Sequence, residues 1–201
     1  MYKSKEIRWF SLTHHQKISD WFLNYNQHFS ITKPRIDFYL PMPDHHDMSI
    51  KLREGNVEVK QRTGDPKLQQ LTNQATGYNE NWVKWAFNIK EEDTLAKAII
   101  SENTYSWIEV YKERLGIKFT ATEKGDIIIK DIRDMSLPFG CQIEYTRLRI
   151  HNKEWFTFGV EWFGEKSIEP GTNIFSEILG DTNLTKEESY SYAQFLSKYK
   201  Y

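Results

Sequence analysis

The chain has 201 residues, long enough for one sizeable core and read as a single domain over 1–201, and its 39% hydrophobic and 27% charged residues exclude a disordered polymer. A formal net charge of -1 excludes a global field for polyanions such as nucleic acid, so any basic site has to be local. A single cysteine, Cys141, excludes an internal disulfide and a cysteine zinc cage; no stretch approaches the roughly 20 apolar residues of a membrane-spanning helix, and the expectation is a cytoplasmic protein without a membrane partner.

Residues 5–12, KEIRWFSL, alternate as a first strand with Glu6, Arg8 and Phe10 on one face and Ile7 and Trp9 on the other. Thr13 caps a predicted helix in which Ile18, Trp21, Phe22, Tyr25 and Phe29 recur at helical spacing as a core stripe. RIDFYL, 35–40, is a second strand, ended by Pro41 and Pro43. SIKLREGNVEVKQR, 49–62, has the form of a hairpin turning at Gly55-Asn56, a pair suited to positive backbone angles. That turn sets Lys51 opposite Lys60 and Arg53 opposite Glu58. Ile50, Leu52, Val57 and Val59 then share one face, and Lys51, Arg53, Glu58, Lys60 and Arg62 the other. Facing ammonium groups repel, so an anion held between them would stabilise the pair, and Lys51→Ala is expected to leave the empty fold intact or slightly steadier.

From 63 to 81 the composition turns polar, predicting a loop with a short helix around Leu68 and Leu71, and WVKWAF, 82–87, reads as another strand. EEDTLAKAIISEN, 91–103, has the acidic start and the Leu95, Ala98, Ile99 stripe of a helix. Strands follow at 107–119, 126–133, 141–150 and 155–163. In the first of these Lys112 and Arg114 share a face with Ile108 and Val110. Pairing the last two through the loop NKE puts Arg147 opposite Gly159 and gathers Tyr145, Arg147 and Arg149 on the face of Glu161. NIFSEILG is a short helix stopped by Gly180, and a last helix opens on a Thr185–Glu188 capping box with Tyr192, Phe195, Leu196 and Tyr199 on one side.

A run of strands dressed by a few helices predicts an α+β protein with an antiparallel sheet or barrel. The apolar faces, such as Phe156, Phe158, Val160 and Trp162, need helices as cover, which turns the charged faces toward an interior. The inward set is then Arg8, Lys51, Arg53, Lys60, Arg62, Lys112, Arg114, Arg147 and Arg149 against Glu6, Glu58 and Glu161. Such an excess of cations matches a small phosphate-containing anion, whose oxygens suit Arg forks and Lys points.

The succession KEIRWF, SIKLREGNVEVKQR, VYKER, GVEWF and ESYSYAQFL resembles the CYTH superfamily of triphosphate tunnel proteins. The resemblance implies an eight-stranded antiparallel tunnel with helices outside, and Mg²⁺ or Mn²⁺ held by paired glutamates of the first and last strands. Lys51, Arg53 and Lys60 match the family's basic third strand and the strand after it, and Lys112 and Arg114 its later K-x-R pair. Glu6 and Glu161 match two of the glutamates and so carry the implied catalytic and metal-binding role, with Glu58 as a further ligand. Arg8 and Gly159 stand where two more carboxylates are expected, which would leave a hard cation weakly held. The implied activity is phosphohydrolysis of a triphosphate or another polyphosphorylated compound. The alternatives are a tunnel that binds the anion without turnover, and a barrel for an apolar small molecule whose charged faces, Lys51 and Lys60 included, point to solvent.

Other constellations carry less chemistry. His45, His46 and Asp47 are loop neighbours, His14 and His15 sit at a helix start, and Cys141 lacks an activating partner.

Overall fold

A computed structural model describes residues 2–88, 94, 98, 106–134, 136–171 and 173–198. Its strands are β1 (Tyr2–Ser11), β2 (Arg35–Tyr39), β3 (Met48–Arg53), β4 (Asn56–Arg62), β5 (Lys67–Thr72), β6 (Ala75–Asn88), β7 (Ile108–Ala121), β8 (Ile127–Asp131), β9 (Gly140–Ile150) and β10 (Lys153–Phe163). The α-helices among the described residues are α1 (Gln16–Trp21), α2 (Ile174–Leu179) and α3 (Tyr192–Lys198). Eight strands close into an antiparallel barrel in the order β1-β10-β9-β7-β2-β3-β4-β6, with β6 returning to β1. β5 and β8 extend it as flaps on β6 and β7. Among the described residues no helix is long and apolar enough to cross a membrane.

Alternation divides each barrel strand between two surroundings. Ile7, Trp9, Ile143, Tyr145, Phe158 and Val160 point outward and are buried with Ile18 and Phe22 of the α1 region and Phe175 and Ile178 of α2. The expected inversion of an ordinary sheet, with apolar faces under helices and charged faces inside, is what the strands do. A second apolar cluster seals one end of the lumen: Phe10, Tyr39, Ile108, Val110 and Leu148 meet Phe195 and Leu196 of α3. The Phe10 and Phe195 rings stack there at 3.9 Å.

The β3–β4 hairpin turns one residue earlier than its sequence predicts. Glu54 and Gly55 have φ of 46° and 75°, the two positive angles of a type I′ turn. Lys51 therefore faces Glu58, and Ser49 faces Lys60. Each partner moves by two residues, an even number, so every side chain keeps its predicted face. Lys51 gains an ion pair with Glu58 at 3.1 Å in place of repulsion from Lys60, which removes the reason for expecting Lys51→Ala to steady the fold.

The β9–β10 hairpin also turns tightly, with His151 at φ 51°, and pairs Arg147 with Phe156 and Glu144 with Gly159. Here the partner moves by three residues, an odd number, and the faces of β9 exchange. Arg147 and Arg149 consequently leave the predicted inward set. Arg147 pairs with Glu113 at 2.5 Å outside the barrel and lies over the Phe29 ring, while Arg149 stacks on Tyr111.

Three smaller expectations also change. Residues 67–72 form β5 rather than a helix, because backbone pairing with β6 and a Gln69–Asn79 side-chain bond of 2.7 Å hold a strand with little apolar alternation. Thr13 does not cap α1, whose N-cap is His15 without a side-chain bond. The Thr185–Glu188 capping box closes a single 3₁₀ turn, and α3 begins separately at Tyr192. The predicted helix over 91–103 falls mainly outside the described residues.

Candidate functional site

The lumen beyond the apolar seal is a partly enclosed chamber of about 100 Å³, room for several waters or one compact anion. Strand alternation delivers its walls. β1 contributes Glu6 and Arg8, β2 Arg35, β3 Lys51 and Arg53, β4 Glu58 and Lys60, β6 Lys84, β7 Lys112 and Arg114, β9 Glu144 and β10 Glu161. These are eight cations against four carboxylates. Ser191 and Tyr192 at the start of α3 also reach the chamber, and Trp82 stands in the β6 wall.

Of the residues singled out from sequence, Glu6, Arg8, Lys51, Arg53, Glu58, Lys60, Lys112, Arg114 and Glu161 converge on this chamber. Arg62 shares the inward face of β4 but pairs with Glu80 at 2.7 Å instead of lining the chamber. Sequence reasoning missed Arg35, Asp37, Lys84 and Glu144. The signal for Arg35 and Asp37 was present, because they alternate with Ile36 and Phe38 along RIDFYL. Glu144 was lost to the misjudged turn.

Asp37 is the deepest carboxylate, fully buried, and three cations share it. Arg35 Nε lies 2.8 Å, Lys112 Nζ 2.9 Å and Lys51 Nζ 3.4 Å from its oxygens. Lys112 also donates to the Tyr39 hydroxyl at 2.8 Å and sits 3.8 Å from the centre of the Tyr192 ring. A second node is Glu144, which takes Arg8 at 2.7 Å and Arg114 at 3.3 Å. Glu58 holds Lys51 at 3.1 Å and Arg53 at 3.5 Å. Glu6 accepts a bond from Lys60, whose ammonium is 3.9 Å from Glu161.

Proton affinities follow from these neighbours. Burial alone would raise Asp37, but Lys112, Lys51 and Arg35 overcome it and hold the carboxyl well below its ordinary range. Burial likewise pushes Glu58 and Glu144 upward, but the adjoining cations outweigh it and bring both down to about 2. Glu161 is pushed up by burial and by the facing Glu6. Lys112 is driven well below the usual lysine range by burial, then by Lys51 and Arg35, against the pull of Asp37. Lys51 is lowered by burial as well, with Arg53 and Arg35 adding to it and Asp37 and Glu58 opposing. One carboxylate cannot neutralise three cations.

No model of a known protein family matches the chain, and a comparison with curated proteins finds no match. The chemistry of the chamber therefore rests on its residues.

The lysine shifts give a pH dependence. An anion in the chamber favours the charged amines of Lys51 and Lys112, so its binding should draw in protons and tighten as pH falls from the alkaline side. Calorimetric titration of triphosphate in two buffers of different ionisation enthalpy should report net proton uptake; equal heats would count against it. The empty protein follows its own rule. Its lowered lysines make stability rise with pH, between their folded values and the usual lysine value, because the unfolded chain there holds more protons. Glu58 and Glu144 contribute stability that is present above the ordinary glutamate range and lost as pH falls toward about 2.

A metal finds a poor donor set. Among the described residues no group of three or more His, Cys, Asp or Glu side chains is placed to hold an ion. Of the carboxylates expected to ligate one, Glu6 is engaged by Lys60 and Glu58 by Lys51 and Arg53. Divalent Mg²⁺ needs near-octahedral oxygen ligands and would have to displace those cations.

Proposed function

We propose that the barrel binds a compact, multiply charged phosphate compound, with inorganic triphosphate or the phosphate chain of a nucleotide as the class that fits. One observation carries the reading: eight cations line a partly enclosed chamber of about 100 Å³ against four lining carboxylates and the buried Asp37. Three of those cations crowd one carboxylate, Asp37, and leave positive charge directed at the space. Charge-assisted bonds to phosphate oxygens would relieve that crowding. The likeness of the basic strands to those of triphosphate tunnel proteins supports the same ligand class. An apolar ligand is disfavoured, because Lys51 and Lys60 line the chamber instead of pointing away from the barrel.

Metal-dependent hydrolysis is the second reading, favoured by Glu6 and Glu161 standing directly opposite each other on β1 and β10. It requires an ion to take Lys60's place between them.

Thermal unfolding with triphosphate, ATP or pyrophosphate, each with and without Mg²⁺ or Mn²⁺, tests the binding reading. A ligand at about 100 times its Kd stabilises by roughly 2.7 kcal/mol, and each kcal/mol raises the midpoint by about 2–4 °C in a chain of this size. Triphosphate should produce such a shift without metal. Unchanged midpoints with all three compounds would overturn the reading.

A further inference from the structure

We propose that Arg8 is the built-in cation of the chamber, receiving the anion at the place where a carboxylate-held metal would otherwise stand, so that phosphate compounds bind without a divalent ion. This rests on the anion-binding reading above. Arg8 lies mid-strand on β1, nearly buried, and its guanidinium is fixed on several sides. Nη2 is 2.7 Å from Glu144 Oε1, Nη1 donates to Thr157 Oγ1 at 2.7 Å, and Cζ sits 5.0 Å from the centre of the Tyr192 ring.

The strand partner of Arg8 on β10 is Gly159. A Cβ at Gly159 would lie 2.7 Å from Arg8 Cζ and 2.8 Å from both terminal nitrogens. Glycine at 159 is therefore what lets the guanidinium lie flat against β10. The two departures from the carboxylate pattern on these strands form one device, since arginine fills the space that the missing side chain opens.

A guanidinium has five N–H donors, and the bonds to Glu144 and Thr157 leave others for the chamber that Arg8 lines. It stays charged at every working pH and needs no dehydration step, unlike Mg²⁺. A divalent ion entering here would meet Arg8 and Lys60 while the nearest carboxylates are already engaged. Mg²⁺ that complexes triphosphate in solution should accordingly weaken binding.

The experiment is calorimetric titration of triphosphate into the full chain in EDTA and again in excess Mg²⁺, with Arg8→Ala, Arg8→Lys and Gly159→Ala run alongside and thermal midpoints recorded for each. Wild type should bind at least as tightly in EDTA as in Mg²⁺. Losing one charge-assisted contact should weaken Arg8→Ala by about tenfold or more, and Arg8→Lys, which keeps the charge without the fork, by less. Gly159→Ala displaces the guanidinium without removing its charge and should also weaken binding, which keeps the proposal testable if Arg8→Ala fails to fold. Binding that EDTA abolishes, or Arg8→Ala and Gly159→Ala binding like wild type, would overturn the assignment while leaving the chamber an anion site. No binding by wild type in either condition would remove the anion-site reading itself.

Discussion

Asp37→Asn is expected to destabilise the empty protein by about 3–5 kcal/mol, the scale for removing one partner from a buried ionic group, and to strengthen the proposed binding of triphosphate. The carboxylate is fully buried, and Arg35, Lys51 and Lys112 all lie within ion-pair distance of it. An isosteric amide keeps the shape but withdraws the only negative charge those three cations share. Lys51 has Glu58 as a second partner, whereas Lys112 keeps the Tyr39 hydroxyl and the faces of the Tyr39 and Tyr192 rings. The two lysines can lose protons and Arg35 cannot, so the destabilisation should shrink as pH rises through the lysine titration. Triphosphate should then restore more stability to the variant than it adds to wild type, because its phosphates supply the missing charge. Denaturant titrations of both proteins at pH 6 and 9, with and without triphosphate, give the comparison. Equal stability of the empty proteins would mean that Asp37 does not hold the cluster.

Alternation along the strands made much of this chamber legible, and turn geometry decided the rest. The inward face of β3 and β4 survived a wrong turn, since moving the register by two residues preserves every face. The inward face of β9 did not survive, because a shift of three exchanged Glu144 for Arg147. Both errors arose at non-glycine residues with positive φ, Glu54 and His151, a conformation uncommon outside glycine. The consequence was electrostatic. Without Asp37, Glu80 and Glu144, the inferred cations looked unpaired, whereas Arg62, Lys112 and Arg114 each have a carboxylate on an adjacent strand and Arg8 has one two strands away. These partners follow from strand order and register, and no short motif records them.

The unmodified protein is expected to release little or no phosphate from triphosphate at neutral pH, even with Mn²⁺ and even where it binds the compound as proposed. Metal-assisted hydrolysis requires an ion to polarise the terminal phosphate and activate water, and that ion needs several free oxygens. Glu6 is engaged by Lys60, and Glu144 by Arg8 and Arg114, which leaves Glu161 as the least engaged carboxylate of that group, 3.9 Å from the Lys60 ammonium. Replacing Gly159 alone by Glu should not suffice, because its Cβ would displace the Arg8 guanidinium while leaving that cation beside the new carboxylate. Replacing Arg8 and Gly159 together by Glu removes the collision and one cation, adds two carboxylates and releases Glu144 from its closest partner. The double variant should therefore acquire Mn²⁺-dependent phosphate release above the wild-type background, and Glu161→Gln within it should lower that activity. Vigorous metal-dependent turnover by the unmodified chain, abolished by Glu161→Gln, would instead mean that a divalent ion displaces Lys60 from between Glu6 and Glu161 and that the barrel is an enzyme as it stands.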